Sequence, residues 1–182
     1  MTSILKVDNI QNASGTSAIS IDSSGYVSNP KRVLFSVRQS TNGATNQNYT
    51  TGVVDVNVFD TTEFNIGNAV SISSGVATFT APIAGYYQFN WMVKFQTTTT
   101  QNHISTYLRI LEGGSTARFS AEDDEYRVLT DFGSPNYVSI PNSALVKLAA
   151  TDVCKVMIKT NGDTTTQLRQ GARFSGFLVE PV

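Results

Sequence analysis

Few residues in this chain have side chains that could do chemistry. The chain has one histidine, His103, which directly precedes a predicted strand, and one cysteine, Cys154, which lies in another predicted strand about fifty residues later. A catalytic nucleophile and its base must lie in hydrogen-bond contact, and no known catalytic motif surrounds either residue. We therefore expect His103 at the surface or at a loop edge and Cys154 as a small buried side chain. The sequence predicts no enzyme.

A second group that could do chemistry is the acidic run at residues 122–125. Two carboxylates can hydrolyse a glycosidic bond, and several oxygens in one loop can bind calcium. These carboxylates are adjacent, so most would face solvent, and the alternate spacing of calcium ligands is absent. We predict a solvated loop and no cofactor, with calcium as the alternative.

Composition excludes several classes of function. The chain has 182 residues, a net charge of −1 and only 15% charged residues. It has no excess of cations to attract a phosphate backbone, so nucleic-acid binding is not expected. A single cysteine forms no intrachain disulfide. There is no apolar run of membrane-spanning length and no pattern of a signal peptide, so membrane insertion and secretion are not expected.

Short alternating segments, separated by Gly, Asn, Ser, Thr and Pro, predict an all-β protein. About ten antiparallel strands in two packed sheets form a jelly-roll sandwich. The predicted strands are residues 32–39, 53–59, 69–73, 76–81, 85–95, 104–112, 137–141, 144–147, 153–160 and 173–180. The Gly-Gly turn near residue 113 predicts a hairpin between residues 108 and 119.

The segment 85–95 has the clearest pattern. Its alternate residues Tyr87, Phe89 and Trp91 are large and apolar, and the pattern continues through Val93 and Phe95. This face fills a core. The opposite side, which carries Tyr86, also needs cover.

Residues 1–31 differ from the rest and predict a separate N-terminal segment, followed by a globular domain over residues 32–182. A short hairpin at residues 15–27 cannot bury enough surface to stand alone. We expect a trimeric stalk or an anchor, with a disordered leader as the alternative. The apolar residues expected to anchor it are Ile4, Leu5, Val7 and Ile10.

Four segments of residues 33–182 resemble the globular-head family of complement's first component, the jelly-roll group that includes tumour necrosis factor. They are the opening strand 33–38, the pair Phe59-Asp60 followed by 64–67, the block 75–89, and the closing strand 174–178. The resemblance implies a homotrimer of jelly rolls. It also implies that aromatic residues lie either in the core or at the seam between subunits, namely Tyr86, Tyr87, Phe89, Trp91 and Phe177.

The leader resembles the opening of virion appendage proteins from tailed bacteriophages, over residues 5–12 and 18–25. This implies a structural protein of the virion whose partners are capsid or tail proteins. Host surface glycans are a candidate ligand for the polar loops 40–49 and 97–103. The loop residues expected to contact a glycan are Asn46, Asn48, Tyr49, Gln101 and His103. The alternatives are a secreted lectin-like trimer and a tail-associated glycan hydrolase.

Overall fold

The structure is a computed structural model. It describes residues 7–29, 32–40, 45–49, 52–97, 103–123, 136–161 and 166–182. Within these ranges, the side chains at positions 45–49, 97, 103, 119–123, 136, 160, 161 and 166 are not described. In the described ranges every regular element is a β-strand.

The chain divides into two compact units, Met1–Arg32 and Val33–Val182. In the first unit the strands β1 (Asn9–Gln11), β2 (Ser17–Ile21) and β3 (Val27–Ser28) form an antiparallel meander in that order. No residue between positions 7 and 29 is fully buried. This meander therefore has no core of its own within the described residues.

Two turns of the same design connect these strands. The Asn12 side-chain oxygen Oδ1 accepts hydrogen bonds from the Ser14 and Thr16 amides at 3.1 and 2.9 Å. The Asp22 Oδ1 atom accepts from the Ser24 and Tyr26 amides, both at 2.9 Å. Asn and Asp favour such turns because their short side chains reach the backbone two residues further on. The hairpin predicted at residues 15–27 is thus confirmed, with its turn at residues 22–25.

The second unit is a sandwich of two sheets, built from twelve strands in the described residues. These strands are β4 (Leu34–Arg38), β5 (Thr45–Tyr49), β6 (Gly52–Asp55), β7 (Thr61–Ile66), β8 (Val70–Ser73), β9 (Val76–Thr80), β10 (Gly85–Thr97), β11 (His103–Glu112), β12 (Thr116–Asp123), β13 (Asn136–Leu148), β14 (Val153–Asn161) and β15 (Thr166–Pro181).

One sheet has the order β13-β10-β15-β4-β7, with β5 paired to β15, and is called the β10 sheet. The other has the order β12-β11-β14-β9-β8, with β6 paired to β14, and is called the β11 sheet. Every strand pair is antiparallel. The predicted all-β jelly roll is confirmed.

Aromatic rings fill the space between the two sheets. Phe35 lies 5.2 Å from Phe79 and 5.0 Å from Phe174, between ring centroids. Phe79 also lies 5.0 Å from Phe89 in an edge-to-face contact. Gly176 allows this density, because a Cβ atom there would lie 2.6 Å from Phe89 and 2.8 Å from Phe35.

Trp91 connects the two sheets. Its side chain is 3% exposed, and its indole Nε1–H donates to the Thr106 hydroxyl at 3.1 Å. Thr106 lies on β11 and is itself fully buried. The bond satisfies a donor that would otherwise be buried without a partner.

Three predicted strands are wrong in their bounds. The segment 53–59 is a strand only over Gly52–Asp55, since the adjacent residues Val58 and Phe59 are both buried and cannot alternate as a strand requires. The segments 137–141 and 144–147 form one strand, β13, which runs through Pro141. This is possible because β13 is at the edge of its sheet, where a missing N–H breaks no inner pairing.

Strands β5 and β7 of the sandwich were not predicted. Polar residues dominate β5 and β7, and the apolar alternation in β7 is limited to Phe64 and Ile66. The predicted loop at 40–49 is wrong over Thr45–Tyr49, which pairs with β15. The predicted hairpin after residue 108 is confirmed, and β12 extends it to Asp123.

We predict that Trp91→Ala lowers the free energy of unfolding by about 3–5 kcal/mol, because it removes a large buried side chain and leaves a cavity. Trp91→Phe keeps most of the side-chain volume but leaves the buried Thr106 hydroxyl without its hydrogen-bond partner. It should therefore lower the free energy of unfolding by about 1–3 kcal/mol. Urea denaturation measures both. A loss within about 0.5 kcal/mol for Trp91→Ala, the usual size of a surface effect, would contradict the assigned strand faces.

Candidate subunit interface

The outer side of the β10 sheet, which faces away from the core, carries most of the exposed large apolar side chains of the sandwich among the described residues. On strand β10 the inner residues Tyr87, Phe89 and Trp91 are buried. The outer residues alternate with them, and Tyr86 is 41% exposed. A sheet side that is both apolar and uncovered marks a contact with another molecule.

One row of paired residues crosses this side from edge to edge; it is apolar at every position except Gln88 and is called the apolar row. Gln88 pairs with Leu145 on β13 and with Phe177 on β15, Phe177 pairs with Leu34 on β4, and Leu34 pairs with Ile66 on β7. Five strands spaced at about 4.8 Å make this row roughly 19 Å wide. Leu145 is 61% exposed and Phe177 is 42% exposed.

Further large apolar side chains extend this row along the strands. Those that are more than a third exposed on the strands of this sheet are Phe64, Ile66, Tyr86, Tyr137, Leu145, Phe177 and Val179. Together with the row they define the packing face. The Lys147 ammonium lies 5.9 Å from the Tyr86 ring centroid, so part of the face is bordered by a cation–π contact.

A polar strip lies beside the apolar row. Asn90 pairs with Ser143 and Ser175, and Ser175 pairs with Ser36. Ser36 donates to the Glu63 carboxylate at 2.7 Å. Because these side chains are small, they project little from the sheet, and another surface can approach the backbone closely.

The outer side of the β11 sheet has a different character. The Asp55 carboxylate on β6 lies 3.5 Å from the Arg109 guanidinium and 3.3 Å from the Lys155 ammonium. These three side chains are between 22% and 26% exposed, and both cations pair with the Asp55 carboxylate. Among the described residues, the strands of the β11 sheet have one exposed large apolar side chain, Val53, whereas those of the β10 sheet have seven.

The structure divides the five predicted aromatics between two places. Tyr86 and Phe177 are on the packing face, whereas Tyr87, Phe89 and Trp91 are buried within the subunit. Tyr87 donates its hydroxyl to the Ile83 carbonyl at 2.7 Å, and burial raises the pKa of this phenol. Tyr87 therefore packs in the core and is held there by its hydrogen bond.

Sequence reasoning missed six apolar members of the face: Leu34, Phe64, Ile66, Tyr137, Leu145 and Val179. A signal for Leu145 was present, because Ala144, Leu145 and Val146 are consecutive apolar residues, and one of three must point away from the core. Leu34 has the same signal beside Val33 and Phe35. Phe64 and Ile66 lay in a segment that was not recognised as a strand.

The predicted ligand and anchor residues are only partly described. Asn46, Asn48 and Tyr49 lie in strand β5, and His103 begins strand β11, with no side-chain description at any of them. Gln101, Ile4 and Leu5 lie outside the described residues. Val7 is partly exposed, and Ile10 on β1 is 47% exposed. Their roles as ligand and anchor residues stay predictions.

Cys154 is fully buried between the sheets, as predicted. Burial raises the pKa of its thiol to about 12. The neighbouring Arg118 opposes this shift and Asp152 adds to it. The reactive thiolate form is therefore suppressed.

One cleft of about 580 Å³ lies beside the turn between β11 and β12, next to Arg118, Lys147 and Asp152. Its polar groups bind each other. The Asp152 carboxylate accepts hydrogen bonds from the Gly113 and Ala149 amides, both at 2.9 Å. Arg118 pairs with Glu112 and donates to the Lys147 carbonyl. These contacts hold the turns in place. The polar side chains that line the cleft are therefore occupied by other groups of the protein.

The predicted calcium alternative is untested, since residues 124 and 125 lie outside the described residues and the side chains of 122 and 123 are not described. Elsewhere in the described chain no three His, Cys, Asp or Glu side chains form a group that could hold a metal ion. In those same ranges no helix is long and apolar enough to cross a membrane.

The two-sheet topology is that of a jelly roll. Comparison with known proteins identifies the family of this domain. The C1q domain model matches residues 34–179, so this chain belongs to the C1q domain family. Proteins of the C1q and tumour necrosis factor group form trimers and are generally non-enzymatic binding or structural proteins. A comparison with curated proteins gave no match.

Solved structures share the fold at low sequence identity. The globular domain of zebrafish complement 1qA is 16% identical with a TM-score of 0.56, over 83% of this chain and 99% of that one. Eiger TNF from S. frugiperda is 11% identical with a TM-score of 0.61, over 84% and 95%. Murine APRIL is 12% identical with a TM-score of 0.55, over 82% and 100%. At these identities the likeness concerns the fold alone.

We predict that native Cys154 resists iodoacetamide at pH 8, because its thiol stays protonated and buried until the protein unfolds. The folded pKa of about 12 exceeds the usual 9.0. Its contribution to stability is therefore complete below pH 9 and is lost as the pH rises towards 12. Mass spectrometry of labelled native and urea-unfolded protein tests this, and rapid labelling of the native form would contradict it.

Proposed function

We propose that this chain is a homotrimeric, non-enzymatic structural protein whose sandwich units pack through the packing face. The single observation that carries the proposal is the exposed apolar row from Leu145 to Ile66 in a chain of a trimer-forming family. A closed threefold arrangement covers that face on every subunit and leaves no free copy to polymerise.

The residue chemistry supports a non-enzymatic role. Cys154 is buried with a raised pKa, and the carboxylate of Asp152 is occupied by two backbone amides. Buried groups of this kind hold the fold and do not reach a substrate. The family as a whole points the same way.

We further propose that the trimer is a component of a tailed-phage particle, anchored by residues 1–31. Two features support this: the leader's resemblance to virion appendage proteins, and a meander that exposes Ile10 and Val27 and has no buried residue in its described part. A three-stranded sheet without a core needs a larger surface, or further copies, for stability.

Within the particle, two positions are compatible with this design. A decoration protein of the head would clamp capsid subunits through the N-terminal segments, and a tail-fibre part would present loops to host glycans. The neutral hydrogen-bonding residues around 40–49 and 97–103 suit a glycan. Copies per particle separate the two, because hundreds indicate the head and a few indicate the tail.

We predict that Phe177→Glu and Leu145→Glu each convert the trimer to single subunits. A carboxylate placed in the centre of an apolar contact loses its hydration without gaining a partner. Sedimentation velocity at micromolar concentration should show the wild type at three times the 19.7 kDa chain mass and the variants at one.

Val53→Glu is the matched control, because Val53 is also exposed, at 45%, but lies on β6 in the β11 sheet. It should leave the trimer intact. A wild-type chain that sediments as a stable single subunit would refute the proposed assembly.

We predict that deletion of residues 1–30 leaves a folded sandwich and abolishes attachment to the phage particle, since the core lies within Val33–Val182. Circular dichroism checks folding, and co-sedimentation with particles that lack the protein checks attachment. Full-length protein is the positive control. If the truncated chain still binds particles, the N-terminal segment is not the anchor.

A further inference from the structure

We propose that the β10 sheet carries an oxyanion site, formed by Lys94, Arg169 and Arg173 on its outer side. The expected ligand is a tetrahedral oxyanion such as sulfate or phosphate, bound once per chain. The site belongs to a single subunit, so it does not require the proposed trimer.

The strand register brings like charges face to face. Lys94 on β10 pairs directly with Arg169 on β15, and Arg173 on β15 pairs directly with Arg38 on β4. Like charges at directly opposite positions of neighbouring strands destabilise a sheet. Here two such pairs lie next to each other on one side of one sheet, in a chain with only 13 Lys and Arg residues.

A β-bulge brings these two pairs together. The register of β15 against β10 shifts between Met92 and Lys94, so that residues 170–172 stand opposite Val93 alone. Gly171 adopts a φ of +123° in this bulge, and a Cβ there would lie 3.9 Å from the Lys94 side chain. The aliphatic stem of Lys94 therefore lies over the bulge that separates Arg169 from Arg173. Bulges commonly re-aim side chains in this way.

The positive charge of this cluster exceeds its described counter-charge. Glu63 pairs with Arg38 through Nε at 2.8 Å. Among the described residues no carboxylate pairs with Arg169 or Arg173, and the Arg169 Nε atom is buried without a hydrogen-bond partner. A buried, charged donor without a partner is costly, and a bound anion would supply the missing acceptor.

The donor set favours an oxyanion over a halide. Guanidinium groups present paired N–H donors that match two oxygens of a sulfate or phosphate. The Lys94 ammonium lies 5.4 Å from the ring centroid of Tyr137, which is on the neighbouring strand β13. Two such forks and one ammonium offer more donors than a spherical chloride can use.

The test is thermal melting of the full chain in sodium sulfate and in sodium chloride at equal ionic strength, with isothermal titration for stoichiometry. Sulfate at about a hundred times its dissociation constant should raise the melting midpoint by roughly 5–10 °C over chloride. One sulfate should bind per chain. Arg169→Gln and Arg173→Gln should each remove most of this rise.

Lys147→Gln is the matched control, because Lys147 lies on the same side of the sheet, beside Tyr86. It should keep the full sulfate response. Equal melting midpoints in sulfate and chloride for the wild type would overturn the site, and so would loss of the response in Lys147→Gln. The site would also fall if Arg169→Gln gained stability in chloride while the wild type ignored sulfate.

Sedimentation of the same samples separates this site from the proposed assembly. A trimer without a sulfate response overturns the site alone, and a single subunit with a sulfate response overturns the trimer alone. Dextran sulfate against uncharged dextran distinguishes the source of the oxyanion. Competition by dextran sulfate indicates a polymer-borne group, and its failure to compete indicates a free ion.

Discussion

The contact between the inner side of strand β10 and the opposing sheet is the interaction on which this structure depends. Phe89 packs on Phe79 at 5.0 Å, and the absence of a side chain at Gly176 lets Phe89 and Phe35 approach the strand beside it. Each ring buries a large apolar area, so this cluster supplies much of the hydrophobic stabilisation. Because the rings occupy the inner side, every alternate residue of β10 must face outward.

That alternation links stability to assembly. The residues that turn outward on β10 and its neighbours are not uniformly polar, since Tyr86, Phe177 and Leu145 are all more than a third exposed. The β11 sheet places the Asp55, Arg109 and Lys155 ion pairs on its outer side. The outer side of the β11 sheet thus presents paired charges to solvent, whereas that of the β10 sheet presents large apolar side chains. The same strand register that builds the core therefore also places exposed apolar side chains on the outer side of the β10 sheet.

Sequence reasoning was strongest where apolar alternation was strict. The strand at 85–95 and its buried side were predicted, and β14 was close to its observed bounds, because period-two patterns determine which side is buried. The all-β class and the family also followed from the sequence. The five predicted aromatics were given two possible positions, and only coordinates could separate Tyr86 and Phe177 from the three buried ones.

The failures have physical causes. Edge strands such as β7 need little apolar alternation, because they are covered on one side only or not at all. Pro141 looked like the end of a strand, but at an edge its missing N–H has no consequence. The Gly171 bulge and the pairing of Lys94 with Arg169 depend on register over seventy-five positions of chain, which no local pattern contains.

The two matching turns of the N-terminal meander make its structure repeat along the chain. Asn12 and Asp22 are ten residues apart, and each is followed three residues later by a glycine with a φ of +82°. Insertion of one more ten-residue unit would add one strand to the meander. Because neighbouring strands run in opposite directions, the chain would then leave the meander at its other end. Gain of two would restore the original exit. Duplication in pairs would thus lengthen this segment while the sandwich that follows remains unaltered.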